Sequence, residues 1–359
     1  MNDDYISGLR KDLVAAAARQ QQTGRAARVA RPLRPRAWSP LAVLGAAATA
    51  ATVLVVVLGI RAILPAPQPA DPKILATFHI GAQPRDAVAV SGALLVADYG
   101  GNIVRIDTPD GNARRQLRVG GTPVSIEADG NAVWVMTIDA AARPARSNLL
   151  KLDSRSGREL ARVPVRGYGD AIATGAGGLW VNADLHTGGI ARIDLRSFER
   201  TAFIPGAETA GLAATERTLW TRHLDSVFER DERGRVINRV DGISPTLGFT
   251  SQRTLLADAD GAWVVGQSDG QLYRIEHGRV VQRLAVGQTA GVIARAGSDI
   301  WVSAGSGVDR YELVRVDPEE GKVTGRLDLG SRVPQTIVPV GKQLWVVTST
   351  GDVLRVNPG

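Results

Sequence analysis

The chain contains no cysteine and only four histidines in 359 residues. The absence of cysteine excludes a disulfide scaffold, an iron–sulfur cluster and a thiolate zinc site. With so few histidines, a metal site built from several imidazole ligands is hard to assemble. Aromatic residues are also scarce at 5%, whereas glycine is abundant at 40 residues. These counts favour a turn-rich protein, and we expect no cofactor.

The positive charge is concentrated in the first 39 residues. This segment has eight Lys or Arg and three Asp, a net of +5, which leaves +2 of the total +7 for the rest of the chain. A nearly neutral body with both signs interspersed argues against nucleic-acid binding. Apolar residues at helical spacing (Ile6, Leu9, Leu13, Ala17) predict a short amphipathic helix within this basic arm, residues 1–39.

Residues 41–60 read LAVLGAAATAATVLVVVLGI and carry no charge. A helix of this length spans a hydrocarbon core of roughly 30 Å. The apolar core of a cleaved signal peptide is shorter, at about 7–15 residues, and a buried helix is seldom apolar on every face. We therefore expect an uncleaved transmembrane signal-anchor helix over 40–64, a single span of the cell membrane. The positive-inside rule then places the arm in the cytoplasm and residues 65–359 outside.

Four prolines in residues 65–72 (PAPQPADP) predict a stiff, extended spacer. Beyond it, a unit of about forty residues recurs seven times. Six of the seven tryptophans fall in one slot of this unit, in the segments 133–135, 179–181, 219–221, 262–264, 300–302 and 344–346, and the first unit has Leu-Leu-Val at 94–96 instead. A second segment recurs in each unit and in most of them ends in a basic–apolar–acidic pattern, as in residues 103–107 (IVRID) and 190–194 (IARID).

Each unit therefore contains four short strands, which we call a, b, c and d, with the tryptophan on strand b. Four strands in about forty residues predict a β-propeller, here an all-β, seven-bladed ring over 73–359. We expect the tryptophans to pack between blades rather than to contact a ligand. The seventh unit ends after strand c, and residues 73–80 (ILATFHI from 74) form a spare strand. This N-terminal strand should therefore complete the last blade and close the ring.

The unit resembles the repeats of bacterial seven-bladed propellers of the virginiamycin B lyase-like and YVTN (quinoprotein amine dehydrogenase-like) groups. The resemblance covers the whole predicted ring and is clearest between Val119 and Val163, where these positions match: Gly121, Pro123, Ile126, Gly130, Trp134, Val135, Leu152, Asp153 and Gly157. It implies the propeller fold. The lyase reaction that it suggests uses histidines and an acid near Mg²⁺ in the later blades, yet His277 is the only histidine after residue 250. The additional tryptophan of quinoprotein repeats is also missing, which disfavours a quinone cofactor.

Variable b–c loops lie on one face of the predicted ring, and a binding site is expected there because loops on a rigid scaffold carry most binding functions. The candidate ligand-binding residues of these loops are Asp98, Tyr99, Arg143, Arg146, Asp184, His186, Arg222, His223, Asp225, Asp309, Arg310 and Tyr311. Asp184 and His186 lie on the loop adjacent to that of His223 and Asp225. These four residues are a weak candidate for a divalent metal site.

The sequence thus predicts a membrane-anchored extracytoplasmic propeller that serves as a sensor or binding module for a protein, peptide or glycan. An enzyme of the lyase or lactonase type is the alternative, and no catalytic residue is assigned. A second alternative is transmembrane signalling, such as an anti-sigma-type regulator, in which residues 1–39 bind a cytoplasmic partner.

Overall fold

The computed structural model describes residues 70–81, 83–108, 114–139, 142, 146–167, 169–182, 189–207, 211–245 and 253–359. Their regular structure is β-strand throughout, and none of these residues forms a helix long and apolar enough to cross a membrane. The predicted propeller is confirmed, because twenty-eight strands form seven four-stranded sheets. The basic arm and the predicted span at 40–64 lie outside the described residues.

The strands of each blade follow one another along the chain. Blade 1 contains β2 (Pro84–Val90), β3 (Ala93–Asp98), β4 (Asn102–Asp107) and β5 (Arg114–Arg118). Blade 2 contains β6 (Thr122–Asp129), β7 (Ala132–Asp139), β8 (Arg146–Asp153) and β9 (Glu159–Arg166). Blade 3 contains β10 (Ile172–Gly175), β11 (Gly178–Asn182), β12 (Gly189–Ile193) and β13 (Arg200–Pro205). Blade 4 contains β14 (Gly211–Ala214), β15 (Leu219–His223), β16 (Ser226–Arg230) and β17 (Val236–Val240).

The remaining blades follow the same order. Blade 5 contains β18 (Leu255–Ala257), β19 (Gly261–Val265), β20 (Gln271–Glu276) and β21 (Arg279–Ala285). Blade 6 contains β22 (Thr289–Ala296), β23 (Asp299–Gly307), β24 (Arg310–Asp317) and β25 (Lys322–Gly330). Blade 7 contains β26 (Pro334–Val340), β27 (Gln343–Thr348), β28 (Asp352–Asn357) and, as its fourth strand, β1 (Lys73–His79).

The a strands surround the axis of the ring. Each a strand contacts the a strand of the next blade, and β26 contacts β2, so the circle is complete. The b–c loops and d–a connections lie on one side, which we call the loop face, and the a–b and c–d turns lie on the other, which we call the turn face. Each strand a begins at the loop face, so its first residues lie near the loop-face end of the channel along the axis.

The N-terminal strand closes the ring as predicted. Lys73 lies opposite Asn357 and His79 opposite Asp352, so β1 pairs with β28 along its length. The strand ends one residue before the predicted boundary. Arg315 of blade 6 binds both ends of the ring, because its Nη1 donates to the carbonyl oxygens of Pro358 at 2.8 Å and Ala70 at 3.3 Å. This arginine is 1% exposed.

The six tryptophans of the repeat pack between blades, as predicted, and none is more than 2% exposed. Trp134 of blade 2 lies in one core cluster with Ile172 and Leu179 of blade 3. Trp345 of blade 7 lies in another with Leu94 and Val96 of blade 1. Burying such rings removes a large apolar area from water at each contact between blades.

The basic residue of the strand-c pattern lies over this tryptophan. The side-chain nitrogen of Lys151 is 5.2 Å from the Trp134 ring centre, and the Arg274 guanidinium is 5.4 Å from that of Trp263. In some blades the same residue also reaches the next blade. Arg105, for example, donates from Nη1 to the carbonyl oxygen of Ser154 in blade 2 at 2.9 Å. The repeated base therefore links neighbouring blades on the turn-face side.

The acidic residue of the pattern caps the c–d turn. The Asp153 carboxylate accepts backbone N–H bonds from Arg155 and Ser156, and Asp194 accepts the equivalent bonds in blade 3. The Ser156 hydroxyl also donates to Asp153, and these hydrogen bonds hold the pKa of the Asp153 carboxyl below its usual value. Asp231 and Asp317 accept backbone N–H bonds in the same way, so the pattern supplies a short acceptor to the c–d turns of blades 2, 3, 4 and 6.

Blade 4 departs from the pattern. Glu229 lies opposite Trp220, where other blades have a base, and Arg230 occupies the following position, which is apolar in the others. Arg230 is nevertheless 8% exposed. Its Nε donates to the Thr221 hydroxyl at 3.3 Å, and its Nη1 donates to the Gly234 carbonyl at 3.1 Å. Thr221 stands where the other blades have valine, so this substitution supplies the acceptor that the buried arginine requires.

Candidate functional site

Most predicted site residues that are described lie at the rim of the loop face. Arg146, Asp225, Asp309 and Arg310 are exposed, whereas His223 and Tyr311 are half-buried. Arg310 donates from Nη2 to Asp328 at 3.1 Å, and Tyr311 packs against the core between blades 6 and 7. Arg143, Asp184 and His186 lie outside the described residues.

Two residues that the sequence analysis assigned to the binding loops, Asp98 and Arg222, are instead buried in the interior, so their assignment is corrected. Asp98 is 3% exposed, and its carboxylate accepts backbone N–H bonds from Gln83 and Gly100. Arg222 is fully buried and donates to the carbonyl oxygens of Val265, at 2.6 Å, and Ser244. Burial lowers the pKa of Arg222 to about 10. Strand b runs on to these residues, so their side chains face neighbouring backbone rather than solvent.

The candidate metal site is only half described. His223 ends β15 and Asp225 lies in the following turn, while their two proposed partners fall outside the described ranges. Among the residues that the structure describes, no three His, Asp or Glu side chains are grouped in a way that could hold a metal ion. The metal site therefore stays a prediction.

A solvent-open pocket of about 310 Å³ lies on the loop face where blade 7 meets blade 1. We call it the seam pocket; its lining residues are Gln83, Pro84, Arg85, Tyr99, Gln335 and Ser349. The volume is at the lower end of the range for small-molecule sites. Gln83 and Arg85 flank the start of strand a in blade 1, and Tyr99 follows its strand b. Gln335 and Ser349 occupy corresponding places in blade 7.

Backbone hydrogen bonds hold the walls of the seam pocket in place. Tyr99 donates its N–H to the Gln83 carbonyl at 3.0 Å, and the buried carboxylate of Asp98 binds the Gln83 and Gly100 N–H groups from below. In blade 7, Ser349 donates its N–H to the Val333 carbonyl at 2.9 Å. The guanidinium carbon of Arg85 lies 5.1 Å from the centre of the Tyr99 ring. The pocket is therefore preorganised rather than formed by free loops.

Near the same mouth of the channel, Arg253 of blade 5 reaches across the axis to blades 1 and 2. Its Nε lies 3.0 Å from Oδ1 of Asp86, and its Nη2 lies 3.3 Å from Oε2 of Glu127. The same Nη2 donates to the Ile126 carbonyl at 2.9 Å. We call Asp86, Glu127 and Arg253 the central ion cluster. Its carboxylates are also bonded to neighbouring blades, since Asp86 accepts from Ser125 Oγ at 3.2 Å and Glu127 from Thr174 Oγ1 at 3.3 Å.

Burial dominates the electrostatics of this cluster. It raises the pKa of the Glu127 carboxyl above its usual value, although the Arg253 charge opposes the shift, and the nearby Asp86 charge adds to it. Burial likewise raises the pKa of Asp170, against the hydrogen bond from Asn182 and the positive charge of Arg85. The field of Arg85 therefore reaches across the mouth of the channel to blade 3.

Sequence reasoning found one residue of the seam pocket, Tyr99, and missed the central ion cluster. The missed residues lie on strand a or at its start, outside the loops of variable length from which the candidate residues were chosen. A signal was present, however. Asp86 and Glu127 are acidic residues in a strand that is mostly small and apolar in other blades, and such charges are seldom buried without a partner.

Comparison with known proteins supports the fold alone. No protein-family model and no curated protein matches this chain. A chain in the crystal structure of a mitotic checkpoint complex has a TM-score of 0.62 at 13% identity, with 82% of this chain and 97% of that chain covered. The WD40 β-propeller domain of Doa1 has a TM-score of 0.64 at 13% identity, covering 80% and 97% respectively. This chain resembles WD40 propellers in fold. The lyase-like and YVTN resemblance stays a prediction.

Proposed function

We propose that this protein is a binding module that recognises a protein or peptide through its loop face, with the seam pocket at the centre of the contact. One observation carries the proposal. The polar side chains of Gln83, Arg85, Tyr99, Gln335 and Ser349 line the pocket, and none forms a side-chain hydrogen bond or ion pair with another described residue. These groups are free to bind a partner.

Charged side chains nearby are paired instead. Asp352 binds His79 Nδ1 at 3.0 Å and Arg332 Nε at 3.2 Å, and Asp98 is occupied by backbone N–H groups. The seam pocket thus combines a backbone fixed by hydrogen bonds with donors that have no other partner in the part of the chain that the structure describes, so binding does not require the loops themselves to be ordered.

The fold neighbours support the protein-binding class. One of the two similar chains belongs to a crystallised complex, and the other is a WD40 propeller domain. Propellers present a rigid ring with loops of variable length, and this architecture suits recognition of extended segments.

We further propose that residues 41–60 anchor the ring in the cell membrane, with the basic arm in the cytoplasm and residues 65–359 outside. The charge-free stretch and the excess of Lys and Arg before it support this topology. Because the chain lacks cysteine, the labelling of a single introduced cysteine shows on which side of the membrane that position lies. A membrane-impermeant maleimide added to intact cells should label Lys342→Cys and leave Arg28→Cys unlabelled until the cells are lysed. The reverse pattern would contradict the proposed orientation.

Binding can be tested with the full chain in lipid nanodiscs. Phage-displayed twelve-residue peptides are selected on the wild type, and affinities are measured for Tyr99→Ala, Gln335→Ala and the turn-face control Lys342→Ala. The proposal expects peptides whose affinity falls at least about tenfold in the two pocket variants, as for residues at the centre of an interface, and is unchanged in the control. Peptides that bind all four proteins equally would overturn it.

A further inference from the structure

The seam pocket is positively charged, and this property narrows the choice of ligand. Its lining contains one arginine and no acidic residue. The Asp98 carboxylate is occupied by the backbone N–H groups of Gln83 and Gly100. Asp352, in the same blade as Ser349, forms an ion pair with Arg332 and a hydrogen bond with His79 Nδ1. The other carboxylate near Arg85 is that of Asp170 in blade 3, which does not line the pocket and whose pKa burial raises against the Arg85 charge.

Arg85 is positioned to bind an anion. The residue is exposed and forms no ion pair with any acid among the described residues. Its guanidinium carbon lies over the Tyr99 ring, 5.1 Å from the ring centre. A cation–π contact of this kind takes up no hydrogen-bond acceptor, and the guanidinium has five N–H donors, so donors remain for a ligand. Those groups form the planar fork that binds a carboxylate through two parallel hydrogen bonds.

The other polar groups of the pocket suit the same ligand. The Ser349 and Tyr99 hydroxyls and the side-chain amides of Gln83 and Gln335 can each donate to an oxygen acceptor. Because the backbone around Tyr99 and Ser349 is fixed by hydrogen bonds, only the side chains, and not the loops that carry them, have to be ordered when the ligand binds.

We propose that the seam pocket binds a carboxylate of a peptide or protein partner, with Arg85 as its anchor. The carboxylate belongs either to an Asp or Glu side chain or to the C-terminus of the partner. This inference rests on the proposed binding function and identifies the chemical group that the site recognises.

The test uses the selected twelve-residue peptides and the full chain in nanodiscs. Each peptide is synthesised unchanged, with Asp or Glu replaced by Asn or Gln, and with its C-terminus amidated. Affinities are measured by fluorescence anisotropy for the wild type, Arg85→Gln, Arg85→Lys and the control Arg279→Gln. Arg279 is an exposed arginine at the turn-face end of β21, so the control makes the same charge change away from the pocket.

Removing the recognised carboxylate should weaken binding to the wild type and to the Arg279→Gln control at least about tenfold, the loss expected for one hydrogen bond to a charged group. The same change should have little effect on Arg85→Gln, and Arg85→Lys should keep part of the affinity. If replacing Asp or Glu weakens binding, the carboxylate belongs to that side chain. If amidation weakens binding, it belongs to the C-terminus of the peptide. All four proteins should unfold at nearly the same temperature, because both arginines are exposed.

The outcomes separate this inference from the function on which it rests. Peptides that require Tyr99 but bind equally well without any carboxylate overturn the inference and leave the binding function intact. A carboxylate effect of the same size in the wild type and in Arg85→Gln also overturns it. A selection without any Tyr99-dependent peptide overturns the proposed function and the inference together.

Discussion

Arg253 and Asp86 are 167 residues apart in the chain, and the Arg253 Nε lies 3.0 Å from the Asp86 Oδ1 near the axis of the ring. In a ring of seven, blade 5 faces the junction of blades 1 and 2, so this ion pair joins opposite sides of the propeller. Glu127 extends it, and its bond from Thr174 adds blade 3. Opposite sides of the propeller are therefore joined at the centre by charged contacts, in addition to the apolar contacts between neighbouring blades.

Replacing Arg253 with methionine should destabilise the ring, because Asp86 and Glu127 would keep their negative charges with no cation between them. The expected loss is about 2–3 kcal/mol of the free energy of unfolding, measured by urea denaturation. It lies below the range for a fully buried pair because the Arg253 side chain is 31% exposed. Arg279→Met is the exposed control and should change stability by less than about 0.5 kcal/mol.

A second variant shows whether the loss of stability comes from lost packing of the Arg253 side chain or from the unpaired charges of Asp86 and Glu127. Adding Asp86→Asn and Glu127→Gln to Arg253→Met neutralises both carboxylates and should recover most of the lost stability. If the triple variant is no more stable than Arg253→Met alone, the central ion cluster does not act through charge.

The raised pKa of Glu127 predicts a pH dependence with a definite sign. The folded protein holds the Glu127 proton to a higher pH than the unfolded chain does, so the folded state binds more protons in the window above the usual value of 4.5. The free energy of unfolding therefore falls as the pH rises through this window. Glu127→Gln removes this contribution. The stability of the variant relative to the wild type should increase from pH 4 towards neutrality.

The difference between the two unfolding curves isolates Glu127, since all other groups titrate in both proteins. Urea denaturation at half-unit steps of pH gives this difference directly. A difference that stays constant, or that decreases as the pH rises, contradicts a raised pKa in the folded state.

The sequence predicted the blades because each unit carries its own local signature. A tryptophan on strand b needs the neighbouring blade to cover it, the base of strand c lies over that ring, and the acid caps the next turn. These roles depend on spacing within about forty residues, so a single unit such as 121–163 reveals them. The spare strand at 73–79 followed from the same count, because the last unit lacked its strand d.

The candidate site was predicted less well, and the reason is physical. The seam pocket joins blades at opposite ends of the chain, with Arg85 and Tyr99 from blade 1 and Gln335 and Ser349 from blade 7. Only the closed ring brings these residues together. Loop position indicated Tyr99, which lines the seam pocket, but it also indicated Arg222, whose strand continues into the core. Loop assignment from sequence cannot separate the last buried residue of a strand from the first exposed residue after it.

Ring closure can be tested by a disulfide, and the natural absence of cysteine makes the result clear. Lys73 and Asn357 lie directly opposite each other on antiparallel β1 and β28, at a spacing compatible with a disulfide. Lys73→Cys/Asn357→Cys should cross-link under mild oxidation. The link encloses nearly the whole ring, so it should add about 5–6 kcal/mol to the free energy of unfolding in the chain-entropy description.

Reduction should abolish this gain, and gel mobility with and without reductant reports the link. The control pair is Lys73→Cys/Arg118→Cys, whose second position lies at the loop-face end of β5. Failure of the Lys73/Asn357 pair to link would mean that β1 does not close blade 7.

Blade 4 offers a test of compensation between two buried residues. Thr221→Val restores the residue of the other six blades but removes the hydroxyl that accepts from Arg230 Nε, and should cost about 1–2 kcal/mol. Arg230→Leu placed on this background restores the apolar residue of the other blades and should recover that loss. The matched control is Thr201→Val, which removes an equivalent acceptor for Arg192 Nε at an exposed position and should cost less than about 0.5 kcal/mol. Urea denaturation of the wild type, Thr221→Val, Arg230→Leu and the double variant completes the cycle, and purely additive effects would show that the two residues do not compensate each other.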